Sequence, residues 1–246
     1  MNTTLYKSAI LLFLLFPIFS SADSKDPILG DGYDLTQGFA GKYTKEKTIK
    51  KEFQVNFDAL LMVSNSYGNL NITSWNENRV LIEVHIKTNG NNEEKVAKKL
   101  NEIDVQFNAS SSQVSAKTIF DKGSSSWNWG WGNNNNVNMQ IDYIIKVPVK
   151  NSVNLDNDYG GIILDRIDGH AKINCDYGQL EIGELRGRSN QLNFDYTSKS
   201  RIGYINSGEI NADYSGFTIE KAGDLVIKAD YTNSKVEEME NLQYSC

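Results

Sequence analysis

The sequence predicts an all-β fold: a right-handed β-solenoid (β-helix) with rungs of about 18 residues, preceded by a β-rich N-terminal region carrying one short helix. Three observations lead there. Asp-Tyr recurs at Asp158-Tyr159, Asp176-Tyr177, Asp195-Tyr196, Asp213-Tyr214 and Asp230-Tyr231, with tyrosine steps of about 18, 19, 18 and 17 residues. Three apolar columns keep phase with those tyrosines: Leu155, Ile173, Leu192, Ile210 and Ile227 before them, then Leu164, Ile182, Ile202, Ile219 and Val236, then Ile167, Leu185, Ile205, Ala222 and Met239 after them. Gly and Asn are abundant, only 3 Pro occur, and β-branched residues alternate with polar ones.

A unit this short cannot bury its apolar side alone, whereas stacked copies run each column through a shared interior. Antiparallel hairpins would not hold all three columns at one period. Units about 4.8 Å apart would make a rod of about 25–30 Å. The third unit needs one inserted residue between Tyr196 and Ile202 to stay in phase. The sequence stops in mid-unit, two residues short of the next expected tyrosine, and so reads as a fragment of a longer chain.

The chain divides into residues 1–22, a signal peptide; 23–42, a linker or N-terminal arm; 43–150, the β-rich region; and 151–246, the repeats. Lys7 precedes an apolar run from Ala9 to Phe19 and the small residues Ser20-Ser21-Ala22, the pattern of a cleaved secretory signal. That run is shorter than the roughly 20 apolar residues of a membrane span. The expected location is therefore exported: periplasm, outer cell surface or secreted, with no integral membrane segment after cleavage.

In the β-rich region, Ile49 to Phe57, Leu60 to Val63, Leu70 to Thr73 and Val80 to Ile86 read as strands, and Ser66-Tyr67-Gly68-Asn69 as a turn that echoes the later repeat. Asn92 to Ile103 reads as the one helix: Asn91 or Asn92 caps it, Glu93 and Glu94 open it, Lys98 and Lys99 close it, and Val96, Leu100 and Ile103 line one side. Strands resume at Asp104 to Phe107, Gln113 to Phe120 and Val137 to Val147. Between them Trp127, Trp129 and Trp131 alternate with Asn and Gly in a long polar loop, the best candidate for a contact surface.

Net charge is −6 and no basic cluster is present, so nucleic acid is not an expected partner. The Asp column suits Ca²⁺ ligation or, more simply, capping of each turn by its own Asp. The Tyr column, Tyr159, Tyr177, Tyr196, Tyr214 and Tyr231, suits self-stacking, with sugar binding as the sharper alternative. Cys175 and Cys246 fall four units apart, roughly 19 Å on the rung spacing, beyond disulfide reach, so two free thiols are expected. His85 and His170 stand in no metal-ligand spacing and beside no nucleophile. No catalytic residue, metal ligand or cofactor is expected, and the protein reads as a non-enzyme. A carboxylate pair from the Asp column acting on polysaccharide, as hydrolase or lyase, is the alternative, and a purely structural spacer is another.

Tyr67-Gly68-Asn69-Leu70-Asn71-Ile72 with Trp75, the Trp/Gly/Asn loop, Tyr143 to Pro148 and Asn157-Asp158-Tyr159-Gly160 together resemble bacterial putative-adhesin domains, from about Phe53 onward. The resemblance implies an exported β-helical protein in a family of unassigned function. It transfers no binding or catalytic residue. The signal segment, the tyrosine ladder and the lack of a catalytic constellation lead to the expected function, a cell-surface or periplasmic adhesin-like interaction scaffold with an envelope glycan or protein as partner.

Overall fold

A computed structural model describes residues 39–120 and 137–245. In chain order the elements are β1 (Tyr43–Gln54), β2 (Leu60–Ser66), β3 (Leu70–Trp75), β4 (Arg79–Gly90), α1 (Glu93–Asn101), β5 (Ile103–Ala109), β6 (Gln113–Phe120), β7 (Asn138–Pro148), β8 (Ser152–Asp158), β9 (Ile162–Ile167), β10 (Ala171–Asp176), β11 (Leu180–Leu185), β12 (Asn190–Asn193), β13 (Ser200–Asp213), β14 (Gly216–Asp230) and β15 (Asn233–Ser245).

The strands form because apolar and polar residues alternate over short runs. In β2, Leu61, Val63 and Asn65 point inward while their neighbours face out, and β10 buries Ala171, Ile173 and Cys175 in the same way. One hydrophobic cluster runs through the sheet from Val55 to Ala229. The helix starts where Asn92 Oδ1 accepts from Lys95 N at 3.0 Å, and it ends at Asn101 rather than at Ile103. Ile103 instead opens β5 and is fully buried there.

The right-handed β-solenoid is overturned by the strand order. All strands belong to one sheet, joined along the path β1-β4-β7-β3-β9-β11-β13-β12-β10-β8-β2-β6-β5, with β14 on β13 and β15 on β14. The path goes out along one row, turns at β13 and returns along another. A single strand makes the turn: Arg201–Ile205 of β13 pair with β11 and Gly208–Asn211 with β12. The two ends of the path come close, since Lys47 Nζ on β1 donates to the Ile103 carbonyl of β5 at 2.5 Å and the Phe53 and Phe107 rings are 6.0 Å apart. The result is a nearly closed, barrel-like sheet with mixed strand directions: β1–β4, β4–β7 and β5–β6 are antiparallel, and the pairs between them are parallel. A repeat period states which residues are neighbours. It does not state how the sheet closes, and here closure depends on antiparallel pairs that carry no repeat.

The strands of 43–150 do not stand before the repeats but join them edge to edge. β8 pairs with β2, aligning Asn157 with Asn65 and Asp158 with Ser66. On its other side β8 pairs with β10, aligning Asp158 with Asp176.

Candidate binding face

Each tyrosine of the repeat follows a strand end, at the corner where the chain leaves one row of the sheet for the other. There the backbone turns through the left-handed region: φ is 67° at Tyr67, 56° at Tyr159, 55° at Tyr177, 53° at Tyr196, and 50° at Tyr214 and Tyr231. For a residue with a Cβ this conformation costs roughly 1–2 kcal/mol. Two features offset it. The tyrosine N–H donates to the Asp carbonyl of the neighbouring strand, as from Tyr159 to Asp176 at 2.9 Å and from Tyr177 to Asp195 at 3.0 Å. The rings also stack, each pair contributing about 0.5–1.5 kcal/mol beyond burial.

The stack is continuous from Tyr67 to Tyr231. Centroids lie 5.3, 5.1, 4.9, 5.2 and 4.9 Å apart in order, and planes diverge by no more than 7°. Tyr67 heads it, with the edge of Phe120 against it at 6.3 Å. Rings held face to face hide their faces, so the stack shows solvent its edges and hydroxyls. Tyr159, Tyr177, Tyr196 and Tyr214 are about half exposed, whereas Tyr231 at the other end is 82% exposed. Ring faces inside the column are thus closed to sugar stacking, and among the described residues of the stack the end ring Tyr231 is the most exposed.

The Asp column runs beside the rings and ties strand to strand. Asp176 Oδ1 accepts from Asp195 N at 3.2 Å, Asp195 Oδ1 from Asp213 N at 3.0 Å, and Asp213 Oδ1 from Asp230 N at 3.1 Å. These bonds reach the next unit rather than capping the Asp's own turn. Partial burial, with Asp156 and Asp176 nearby, raises the Asp158 carboxyl above the ordinary carboxylate range. Asp176 is raised mainly by burial, with Asp195 and Asp156 adding to it. The Tyr177 phenol is raised too, by desolvation and by its ring neighbours Tyr196 and Tyr159. Its hydroxyl is a neutral donor at neutral pH.

A third line lies three residues before each tyrosine. Asn193 Nδ2 donates to Asn174 Oδ1 at 2.9 Å and Asn211 Nδ2 to Asn193 Oδ1 at 2.8 Å, and Ser64 Oγ donates to Asp156 Oδ2 at 3.3 Å. Phenol edges, the Asp carboxylates and a third line of Ser64, Asp156, Asn174, Asn193, Asn211 and Lys228 run side by side, with ring centroids 4.9 Å apart between Tyr177 and Tyr196. Behind them, inside the corner, Asn65 and Asn157 are buried and bonded to backbone carbonyls. Sequence reading passed over this interior pair, although Asn65 and Asn157 occupy the same place before Tyr67 and Tyr159.

No group of three or more His, Cys, Asp or Glu able to hold a metal ion occurs among the described residues. His85 Nε2 lies 2.9 Å from Glu83 Oε1 on the outward side of β4, and His170 Nδ1 is 3.5 Å from the Arg188 carbonyl. His85 Nδ1 also lies 3.4 Å from the Thr48 hydroxyl, an exposed contact between neighbouring strands. Cys175 is a buried free thiol. Cys246, and Trp127, Trp129 and Trp131, lie outside the described residues, as does the proposed signal segment. Among the described residues no helix is long and apolar enough to cross a membrane.

No protein-family model matches the sequence, and no curated protein matches it. The chain is similar to solved structures described as adhesins. One is a putative cell adhesion protein from Clostridium sporogenes ATCC 15579, at 13% identity and TM-score 0.38, covering 82% of this chain and 100% of that one. Another is a putative adhesin from Bacteroides fragilis NCTC 9343, at 14% identity and TM-score 0.30, covering 81% and 97%. A third, from Parabacteroides distasonis ATCC 8503, is described as a putative lipid binding protein, at 8% identity and TM-score 0.29, covering 81% and 97%. Likenesses this distant assign no role to this chain.

Proposed function

We propose that this chain is a non-enzymatic interaction scaffold of the bacterial envelope, exported to the periplasm or cell surface, and that its tyrosine corner is the contact face. The observation that carries the reading is the exposed stack itself: six tyrosines from Tyr67 to Tyr231 in the left-handed conformation, with half-exposed edges beside carboxylate and amide lines. An evenly spaced polar face suits an extended, repeating, hydroxyl-rich partner, and an envelope glycan is the partner class it favours over a compact protein. Trp127, Trp129 and Trp131 are proposed, on sequence alone, as a second contact element.

Replacing Tyr177 and Tyr196 together by Phe keeps the rings and removes two hydroxyls. On an array of bacterial envelope glycans, the native chain is expected to bind and the double variant to lose at least about fivefold in affinity, roughly 1 kcal/mol, with unchanged melting. A blank array together with a blank pull-down from envelope extracts would sink the proposal and leave the spacer. Release of sugar products would point to the polysaccharide-active alternative.

A further inference from the structure

The spacing of the tyrosine rings is set by the sheet beneath them. β8 and β10 run parallel with Asp158 opposite Asp176, and β13 and β14 with Asp213 opposite Asp230, so each corner repeats the one before it. Tyr177 and Tyr196 lie 4.9 Å apart with planes 1° from parallel, and Tyr159 and Tyr214 continue the line at 5.1 and 5.2 Å. The backbone repeats with them: φ is 55° at Tyr177 and 53° at Tyr196, and their N–H groups donate to the carbonyls of Asp195 and Asp213. Rings that are parallel copies put like atoms opposite like, so the ortho carbon beside each hydroxyl faces its equivalent on the next ring. Tyr159, Tyr177, Tyr196 and Tyr214 are about half exposed, and the exposed part is the edge that carries these carbons. Other phenols lack this arrangement. Tyr143 is fully buried, and Tyr43 and Tyr204 stack on no tyrosine among the described residues.

Phenols held side by side have a reaction open to them that separated phenols reach only by collision. A one-electron oxidant takes an electron from each of two phenols, and each gives its O–H proton to water. The two phenoxyl radicals join at their ortho carbons in one new C–C bond. The hydrogen on each of those carbons then moves to its own ring's oxygen, which restores both aromatic rings and both hydroxyls. With hydrogen peroxide as oxidant, acting through a haem peroxidase, the two electrons and two protons released reduce it to two waters. The chain loses two hydrogen atoms in all. Fixing the partners in place turns an encounter between chains into a contact within one, which for well-placed groups is a large gain in effective concentration. Ring tilt must close the remaining gap, and the exposed edges leave room for it. We infer that the tyrosine stack is an oxidative cross-linking site, where neighbouring rings such as Tyr177 and Tyr196 couple to dityrosine within one chain. The bond ties the corner after β10 to the corner after β12, whatever partner the face binds.

The test uses the full chain carrying Cys246→Ser, so that thiol oxidation joins no chains, treated with hydrogen peroxide and a haem peroxidase. Dityrosine fluorescence is expected in the monomer. Mass spectrometry should find the tryptic peptides 173–186 and 189–199, which hold Tyr177 and Tyr196, joined with the loss of two hydrogens. Oxidation in denaturing urea, where the rings are no longer held together, should lower the yield of that link at least about tenfold. Tyr196→Phe keeps a ring in the stack but offers no phenol. It should abolish that link and leave peptides 151–166 and 173–186 joined through Tyr159 and Tyr177. The inference is overturned by a chain that forms no dityrosine, by links mainly between chains, by Tyr43 or Tyr204 coupling as often as the stack, or by a yield undiminished in urea.

Discussion

Asn65 and Asn157 meet inside the tyrosine corner: Asn65 Nδ2 donates to Asn157 Oδ1 at 3.1 Å, and Asn157 Nδ2 donates onward to the carbonyls of Gly160 at 2.8 Å and Gly68 at 3.0 Å. Both side chains are buried. Thr118 Oγ1 completes the set by donating to Asn65 Oδ1 at 2.8 Å. Backbone carbonyls at a corner cannot all reach a sheet partner, and these amides supply the missing donors. Gly160 belongs to the same corner, since a Cβ there would fall on the Gly68 carbonyl.

Asn157→Ala removes that bridge and strands several buried groups at once. An unsatisfied buried group costs about 1–3 kcal/mol, so a loss of roughly 3 kcal/mol is expected in urea unfolding. A loss below about 1 kcal/mol would show that the carbonyls find other donors.

Tyr196 sits within the stack, 4.9 Å from Tyr177 and 5.2 Å from Tyr214. Tyr196→Ala loses both contacts yet keeps a Cβ at φ 53°. Tyr196→Gly loses the same contacts and relaxes the backbone. The Ala variant is expected to lose about 2 kcal/mol, and the Gly variant about 1 kcal/mol less. Equal losses in thermal melts would mean that the turn stores no strain.

Asp158 and Asp176 carry raised carboxyl pKa values in the folded chain. The folded state thus holds these protons more tightly than the unfolded state does. Their contribution is fully present below the unfolded value of about 3.9 and is lost as pH rises through the raised folded value. At neutral pH the ionised pair opposes folding. Asp158→Asn should therefore stabilise at pH 7, by on the order of 0.5 kcal/mol because the site is largely exposed, and the gain should vanish below about pH 4. A gain that persists unchanged in acid would refute the electrostatic cause.

Cys175 is buried, and desolvation, with Asp176 and Asp158 adding to it, pushes its thiol up to about 12. In a Cys246→Ser background it should resist alkylation at pH 8 until denaturant is added. Stability should begin to fall above about pH 8.5, where the unfolded thiol ionises, and continue falling toward the folded value. Prompt labelling of the native chain would show that the corner opens locally.

Period and phase were legible because each column is a physical contact. The same spacing that separates Asp158 from Asp176 in the sequence puts them opposite each other in the sheet. The helix was legible through Asn92 and the charges at its two ends. The strand order was not. β4 pairs with β7 across a long stretch of chain, and their pairing rests on Val84 meeting Tyr143 and Ile82 meeting Ile145, which no local pattern announces. β13, continuous from Ser200 to Asp213, also hides its double role, since nothing in its residues marks the point where it passes from β11 to β12. For the candidate face, the tyrosines were visible but their faces were not. Only ring spacing reveals that stacking leaves edges for a partner.

The in-register pairing of β13, β14 and β15 carries an evolutionary consequence. Asp213 aligns with Asp230 in the β13–β14 ladder, and Phe217 with Ser234 in the β14–β15 ladder, both parallel. A duplicated unit slipped between β14 and β15 would find every carbonyl, amide and ring position already waiting. A one-residue insertion inside a strand would reverse every later side chain until the next corner. Gene duplication can therefore lengthen the face in steps of one tyrosine, without redesign at either end.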